Sequence, residues 1–253
     1  MFDLTGRTCL VTGASSGFGA HFARLLSKAG AAVVLGARRR DRLDTLVSEI
    51  ESTGAQALAV DMDVTDEASI IAAFDAAEAR FGPVDTVIAN AGIAASGRAT
   101  ETPADDLKRL FDTNLLGVLL TAREGARRMI ASGSRESGAG RILLIGSMGA
   151  EVPLGGEAAY CAGKAGVAHL GRNLAKEWVR QGINVNVLQP GYIQTEMSAG
   201  WFTSEGGKKQ INGFNRRRLQ SIESLDAPVL YFCSDVSREA TGAVFTVSDG
   251  QYL

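Results

Sequence analysis

The chain has 253 residues, with 26 Lys plus Arg against 28 Asp plus Glu and a formal charge of -2. That length can bury one large core, and with no Pro-, Ser- or charge-rich linker it reads as a single domain over 1–253. The charge balance offers nothing to attract nucleic acid or an anionic membrane. The start, Met1 to Arg7, lacks a basic region followed by an apolar run, and no later stretch is apolar for long enough to span a bilayer, so a cytoplasmic protein is expected. Cys9, Cys161 and Cys233 are odd in number and lack metal-ligand spacing, which argues against a disulfide framework and a metal site alike.

Short apolar, β-branched runs alternate with stretches of helical period, the pattern of a parallel sheet covered on both faces by helices. Strands are expected near 7–11, 32–36, 56–61, 84–89, 141–146, 183–189 and 243–247. The first runs into Thr12-Gly13-Ala14-Ser15-Ser16-Gly17-Phe18-Gly19, followed by a helix-compatible stretch from Ala20 to Ala29. At a strand-to-helix turn, glycines let the backbone approach a pyrophosphate, and the helix's free N–H groups attract its charge. Gly13, Ser15, Ser16, Gly17, Phe18 and Gly19 are therefore candidate nucleotide ligands.

The second strand decides which nicotinamide cofactor is expected. A carboxylate at its end would hold the ribose 2'-hydroxyl of NAD and repel the 2'-phosphate of NADP. From Gly19 to Arg40 there is no Asp or Glu, and the strand leads into Arg38-Arg39-Arg40. Cations at a helix start oppose its dipole, so a bound anion is implied. NADP(H) is expected, with Arg38 as the main phosphate ligand and Arg39 as the second. The competing reading is a solvated basic turn paired with Asp41 and Asp44.

Leu43, Leu46, Val47 and Ile50 mark a helix that stops at Gly54; Ile70, Ile71, Phe74 and Ala77 mark another, stopping at Gly82-Pro83. Thr102 as cap, Pro103 at the first helical position and Asp105 and Asp106 in the first turn announce a long helix carrying Leu107, Leu110, Phe111, Leu115 and Val118. Residues 131–140 read as a mobile surface loop. After the strand ending at Gly146-Ser147, Tyr160-Cys161-Ala162-Gly163-Lys164 heads a helix whose stripe of Val167, Leu170, Leu174 and Trp178 closes at Gly182. Four residues apart, Tyr160 and Lys164 share a helix face, and a nearby ammonium lowers a phenol pKa of about 10 toward neutrality. The long segment 198–218 has the character of a substrate lid.

Taken together and in order, these motifs resemble the single-domain short-chain dehydrogenases/reductases along essentially the whole chain. The resemblance rests on the T-G-x-x-x-G-x-G turn at 12–19, Asp63-Val64, Asn90-Ala91-Gly92, Asn114, Ser147, Y-x-x-x-K at 160–164, and Pro190-Gly191-Tyr192-Ile193-Gln194-Thr195. It implies a Rossmann-type, doubly wound α/β fold with a seven-stranded parallel sheet in three α/β/α layers. It implies that Asp63 and Val64 contact adenine, that Asn90, Ala91 and Gly92 support the adenosine ribose, and that Pro190, Ile193 and Thr195 hold the carboxamide, with Gly191 also at the cofactor. Lys164 would also bind the nicotinamide ribose, and Asn114 would hold a water linking Lys164 to solvent. Two departures occur: Ala89 replaces the first Asn of the usual N-N-A-G, and Gln251 follows Asp249-Gly250 where a second Gly is common.

The implied reaction is ketone reduction, with Ser147 orienting the carbonyl and Tyr160 as proton donor. Met148, Val152, Leu154, Tyr192, Met197 and Trp201 are expected to line the substrate pocket, their mainly apolar character suggesting an apolar ketone or alcohol. Alternatives are a 3-oxoacyl-carrier-protein reductase, for which Arg127, Arg128 and Arg172 would dock the carrier, and a non-catalytic NADP(H)-binding sensor. A serine hydrolase is disfavoured, since Gly146-Ser147-Met148-Gly149 is one residue short of G-x-S-x-G and His21 and His169 have no carboxylate at useful sequence spacing. Family resemblance implies a homotetramer or homodimer.

Overall fold

A computed structural model describes residues 2–94, 97–196 and 198–253. In chain order, β1 (Thr8–Thr12), α1 (Gly17–Lys28), β2 (Ala32–Ala37), α2 (Arg40–Glu51), β3 (Ala57–Asp61), α3 (Glu67–Phe81) and β4 (Thr86–Ala89) form the first half. Then come α4 (Ala104–Phe111), a π-turn at Asp112–Leu116, α5 (Gly117–Ala131), α6 (Ser134–Ser137), β5 (Gly140–Ile145) and α7 (Ala158–Trp178). The chain finishes with β6 (Ile183–Pro190), α8 (Ala199–Thr203), α9 (Glu205–Gly213), α10 (Asp226–Cys233) and β7 (Val244–Val247). The seven strands form one parallel sheet in the order β3-β2-β1-β4-β5-β6-β7.

Alternation along each strand sorts the core into two layers. Cys9, Val11, Val33 and Leu35 face α1, α2 and α10, meeting Phe22, Leu26, Leu43 and Val229. Leu10, Val34, Val87 and Leu144 face α3, α5 and α7, meeting Phe74, Met129, Val167 and Trp178. Because β1 to β3 run outward one way and β4 onward the other, the carboxyl ends of β1 and β4 part at the reversal point and open a crevice.

At the amino ends of the strands two arginines are buried. Arg7 donates to Asp85 (3.0 Å), Thr86 (3.1 Å) and the Ala139 carbonyl (3.0 Å), and also pairs with Asp235. Arg141 donates to the carbonyls of Gly138 (2.8 Å), Gly140 (2.9 Å) and Ser234 (3.2 Å). Full hydrogen bonding is what makes such burial tolerable.

Two sequence expectations need correcting. The helix after 102 starts at Ala104; Pro103 is extended (ψ 145°), and the Thr102 hydroxyl donates back to the Arg98 carbonyl (3.0 Å) instead of capping. Residues 131–140 are not a free loop: they contain α6, with Ser134 buried and its hydroxyl donating to the Gln181 carbonyl (2.6 Å). Among the described residues no helix is long and apolar enough to cross a membrane.

Candidate active site

The crevice is built on one threonine. The Thr12 hydroxyl oxygen accepts from the backbone N–H of Asn90 (3.0 Å) and Ala91 (2.9 Å), and Asn90 Nδ2 donates to the Thr12 carbonyl (2.8 Å). This ties the ends of β1 and β4 at a fixed distance. Gly13 (φ +66°) sits so close to β4 that a Cβ would lie 2.9 Å from Ala91 Cα, and a Cβ on Gly19 would lie 2.4 Å from the Gly13 carbonyl oxygen. Ser16, at the N-cap of α1, makes no side-chain cap bond, which leaves the orphan N–H groups of the first turn to a ligand.

Above this turn lies a cavity of about 370 Å³. One end is formed by Gly13, Ser15, Ser16, Gly17 and Phe18 with Arg38 and Arg39; the middle by Asp63, Val64, Asn90, Ala91 and Gly92; the other end by Tyr160, Lys164 and Thr195. Glycines without room for a side chain, free helix N–H groups and cations at one end fit a dinucleotide. Gly19, Pro190, Gly191 and Ile193 do not line the cavity: Gly19 packs helix to strand, Ile193 lies in the core, and a Cβ on Gly191 would meet Gln251. Lining residues that sequence reasoning did not name as site residues are Ala37, Met62, Ile93, Thr113, Ile145, Gly146 and Glu196.

The three arginines separate. Arg39, expected as the second phosphate ligand, is the one held over the turn, donating to Ser15 Oγ (2.9 and 3.0 Å) and Ser16 Oγ (2.6 Å). Arg38 is 72% exposed at its side chain and lies 3.7 Å from Asp63. Burial opposes ionisation of Asp63, but bonds from Thr65 and the nearby Arg38 prevail and hold its carboxyl below the usual range. Only Arg40 pairs locally, with Asp44 at 2.8 Å.

Asn114 is fully buried inside the π-turn; its side chain accepts from the Ile93 N–H (2.8 Å) and donates to the Ile93 carbonyl (2.8 Å), clamping the loop after β4. Ser147, at the end of β5, accepts from the Gly149 N–H (3.0 Å). In the first turns of α7, Lys164 is buried and donates to the Ile145 carbonyl (2.9 Å), its Nζ 5.8 Å from the centroid of the Tyr160 ring. Expected to fall beside Lys164, the Tyr160 pKa is instead raised by burial to about 12, Ser147 acting the other way and the Glu157 carboxylate adding to the rise. Burial also brings Lys164 down to about 8.

The expected substrate residues divide. Met148 is buried, and Val152 and Leu154 are half-buried beside α7. Tyr192 stacks on Phe214 (5.3 Å) with Phe202 at its edge (5.8 Å), which anchors α8 and α9. Trp201, expected to line the substrate pocket, is 54% exposed, its indole donating to Gln210 (2.6 Å). Met197 lies outside the described residues. Glu157, which burial pushes above the usual carboxylate range, is a further polar group beside Tyr160 and Tyr192. His21 gains a carboxylate that its sequence neighbours do not supply, Asp226 at 2.6 Å. Arg128 is held by Glu124, Asp75 and Glu78, each at 2.7 Å, and so offers little to a carrier protein.

A cavity that fits a dinucleotide and ends at Tyr160 and Lys164, with Ser147 beside Tyr160, suits an oxidoreductase that moves hydride to or from a nicotinamide ring. The short chain dehydrogenase family model matches residues 7–206, and the chain belongs to that family. It is 36% identical over 252 residues to cis-4-hydroxycyclohexanecarboxylate dehydrogenase of Sinomonas cyclohexanicum, covering 96% of each chain. It is 34% identical to gluconate 5-dehydrogenase of Gluconobacter oxydans (99% and 96% covered) and 31% identical to 7alpha-hydroxysteroid dehydrogenase of Escherichia coli (98% and 94%). The crystal structure of a gluconate 5-dehydrogenase from Burkholderia cenocepacia in complex with NADP and tartrate superposes with a TM-score of 0.92 at 32% identity, covering 99% of this chain and 96% of that one. The protein is thus an oxidoreductase acting on CH–OH groups, with a nicotinamide cofactor.

Proposed function

We propose that the protein is an NADPH-dependent carbonyl reductase, equally a secondary alcohol dehydrogenase in reverse. The observation that carries this reading is Arg39 held over the phosphate turn by Ser15 and Ser16, with Arg38 beside it and no carboxylate at the end of β2. When bound, the cofactor supplies hydride at C4 of its nicotinamide. Ser147 holds the ketone oxygen, Tyr160 gives its proton to that oxygen as hydride reaches the carbonyl carbon, and Lys164 keeps the proton path charged. Arg39, Arg38, Ser15 and Ser16 bind the 2'-phosphate; Asp63 and Val64 meet the adenine; Asn90 to Gly92 and Thr195 flank the rest. Asn114 acts by position, fixing the Ile93 backbone that forms the cavity wall.

The substrate side is more polar than an apolar-ketone reading requires. Glu157 and Tyr192 stand near Tyr160, with Gln210 beside Tyr192, and relatives are named for a hydroxylated cyclic acid and a sugar acid as well as for a steroid. A hydroxylated ketone therefore joins the apolar one as a candidate, with α8 and α9 as the lid. The test is a panel of ketones and alcohols assayed with both cofactors. NADPH should exceed NADH in kcat/KM by at least about tenfold, since a 2'-phosphate held by arginine gains charge-assisted bonds. Equal efficiency with NADH would sink the cofactor assignment, and no turnover with any ketone or alcohol would sink the catalytic one. We further propose a homotetramer, for which the exposed Phe111, Leu116, Phe245 and Leu253 offer apolar contact surface.

A further inference from the structure

The mouth of the cavity is crossed by an ion-pair chain that hydride and proton transfer do not use. Arg39 bonds Ser15 and Ser16 on the phosphate turn through one edge of its guanidinium, and its Nη1 lies 3.8 Å from Glu196 Oε2. The same Glu196 oxygen is 2.6 Å from Arg42 Nη1 on α2. Glu196 directly follows Thr195, after β6, whereas the arginines stand at the end of β2; those strands are separated by β1, β4 and β5. The carboxylate therefore reaches across the crevice to cations on its far lip, and both Arg39 and Glu196 line the cavity.

An anionic oxygen between two guanidinium groups is the arrangement a phosphate would adopt there. A second anion cannot share those donors without like-charge repulsion. We propose that Glu196 is a specificity-determining residue: it occupies Arg39 and Arg42 as a surrogate for the 2'-phosphate and is displaced when a 2'-phosphorylated nucleotide enters. It thereby restrains the preference for NADP(H) over NAD(H), and its displacement unties the near end of the segment carrying α8 and α9 from α2. This rests on the NADP(H) reading given above.

Exposed pairs of this kind are weak singly, but a phosphate near pH 7 carries close to two charges, so the competition falls mainly on the 2'-phosphorylated ligand. Calorimetry with adenosine 2',5'-bisphosphate and with 5'-AMP, which lacks the 2'-phosphate, tests this on wild type and Glu196→Gln without any turnover. The side chain is 62% exposed and the amide nearly isosteric, so the fold is not at risk. The variant should bind the bisphosphate about fivefold more tightly, with 5'-AMP unchanged. Limited proteolysis should also cut the 198–213 segment faster in the variant than in wild type. Unchanged affinity for the bisphosphate, or an equal gain for both nucleotides, overturns the proposal while a wild-type preference for the bisphosphate leaves the cofactor reading standing. If wild type binds both nucleotides equally, both fall.

Discussion

Lys164 keeps an ammonium inside the protein with one carbonyl, that of Ile145, as its hydrogen-bond acceptor. Burial takes its pKa from 10.5 to about 8, roughly 3 kcal/mol at about 1.4 kcal/mol per pH unit. Below pH 8 the folded chain carries the buried charge at full cost; between 8 and 10.5 the unfolded chain holds the extra proton, so stability rises with pH and the cost vanishes. Lys164→Met should therefore abolish turnover yet unfold at higher denaturant near pH 7, by up to about 3 kcal/mol, the gain fading toward pH 10. Glu157 works through Tyr160. Its negative charge helps hold the phenol protonated, so Glu157→Gln should move the alkaline rise of alcohol oxidation to lower pH, read from kcat/KM profiles. An unmoved profile would remove Glu157 from the proton chemistry. Tyr160, Lys164 and Ser147 were legible because fixed spacings from one strand end and along one helix fix where they sit. The high pKa of Tyr160 was not, since burial by distant segments sets it, and Glu157 and Glu196 look like ordinary turn carboxylates until the fold brings partners across.

The strands fall within two residues of expectation because β1, β2, β4, β5 and β6 are buried on both faces, so their apolar runs have no competing reading. Helix starts are harder. Thr102 and Pro103 carry a helix-start signature, yet Thr102 takes a carbonyl in its own preceding turn and the helix begins one residue late. The stretch 131–140 is rich in Gly and Ser and reads as a loop, while its order comes from 47 residues away, through the Ser134 bond to Gln181. Gly182 is the tightest point of that contact: at φ +71° it sits where a Cβ would be 1.8 Å from the Ser134 carbonyl oxygen. Gly182→Ala should cost about 3 kcal/mol or more, combining backbone strain with a forced shift of α6. Thermal unfolding measures this, and a loss below about 1 kcal/mol would mean that α6 moves aside freely.

For the whole molecule, the proposed assembly makes a size prediction. Leu116 is 45% exposed on the helical stretch from α4 to α5, and Phe245 is 48% exposed on the edge strand β7. Light scattering should give four chains per particle for wild type, and Leu116→Glu should reduce that number, because a charge has no partner in a closely packed apolar contact. A wild-type monomer would refute the assembly. The sheet also has two differently built rims. Its amino ends are fastened by Arg7 and Arg141, bonded to Asp85, Asp235 and backbone carbonyls, whereas its carboxyl ends carry the glycine turn after β1, Ser147, Tyr160 and Lys164, and the α8–α9 segment. Selection acting on one rim is thereby largely insulated from the other. A lineage with this architecture can trade one alcohol for another by rewriting a few segments after β5 and β6, without re-founding its fold. Relatives near one-third identity, named for a cyclic hydroxy acid, a sugar acid and a steroid, are what such a division of labour would leave behind.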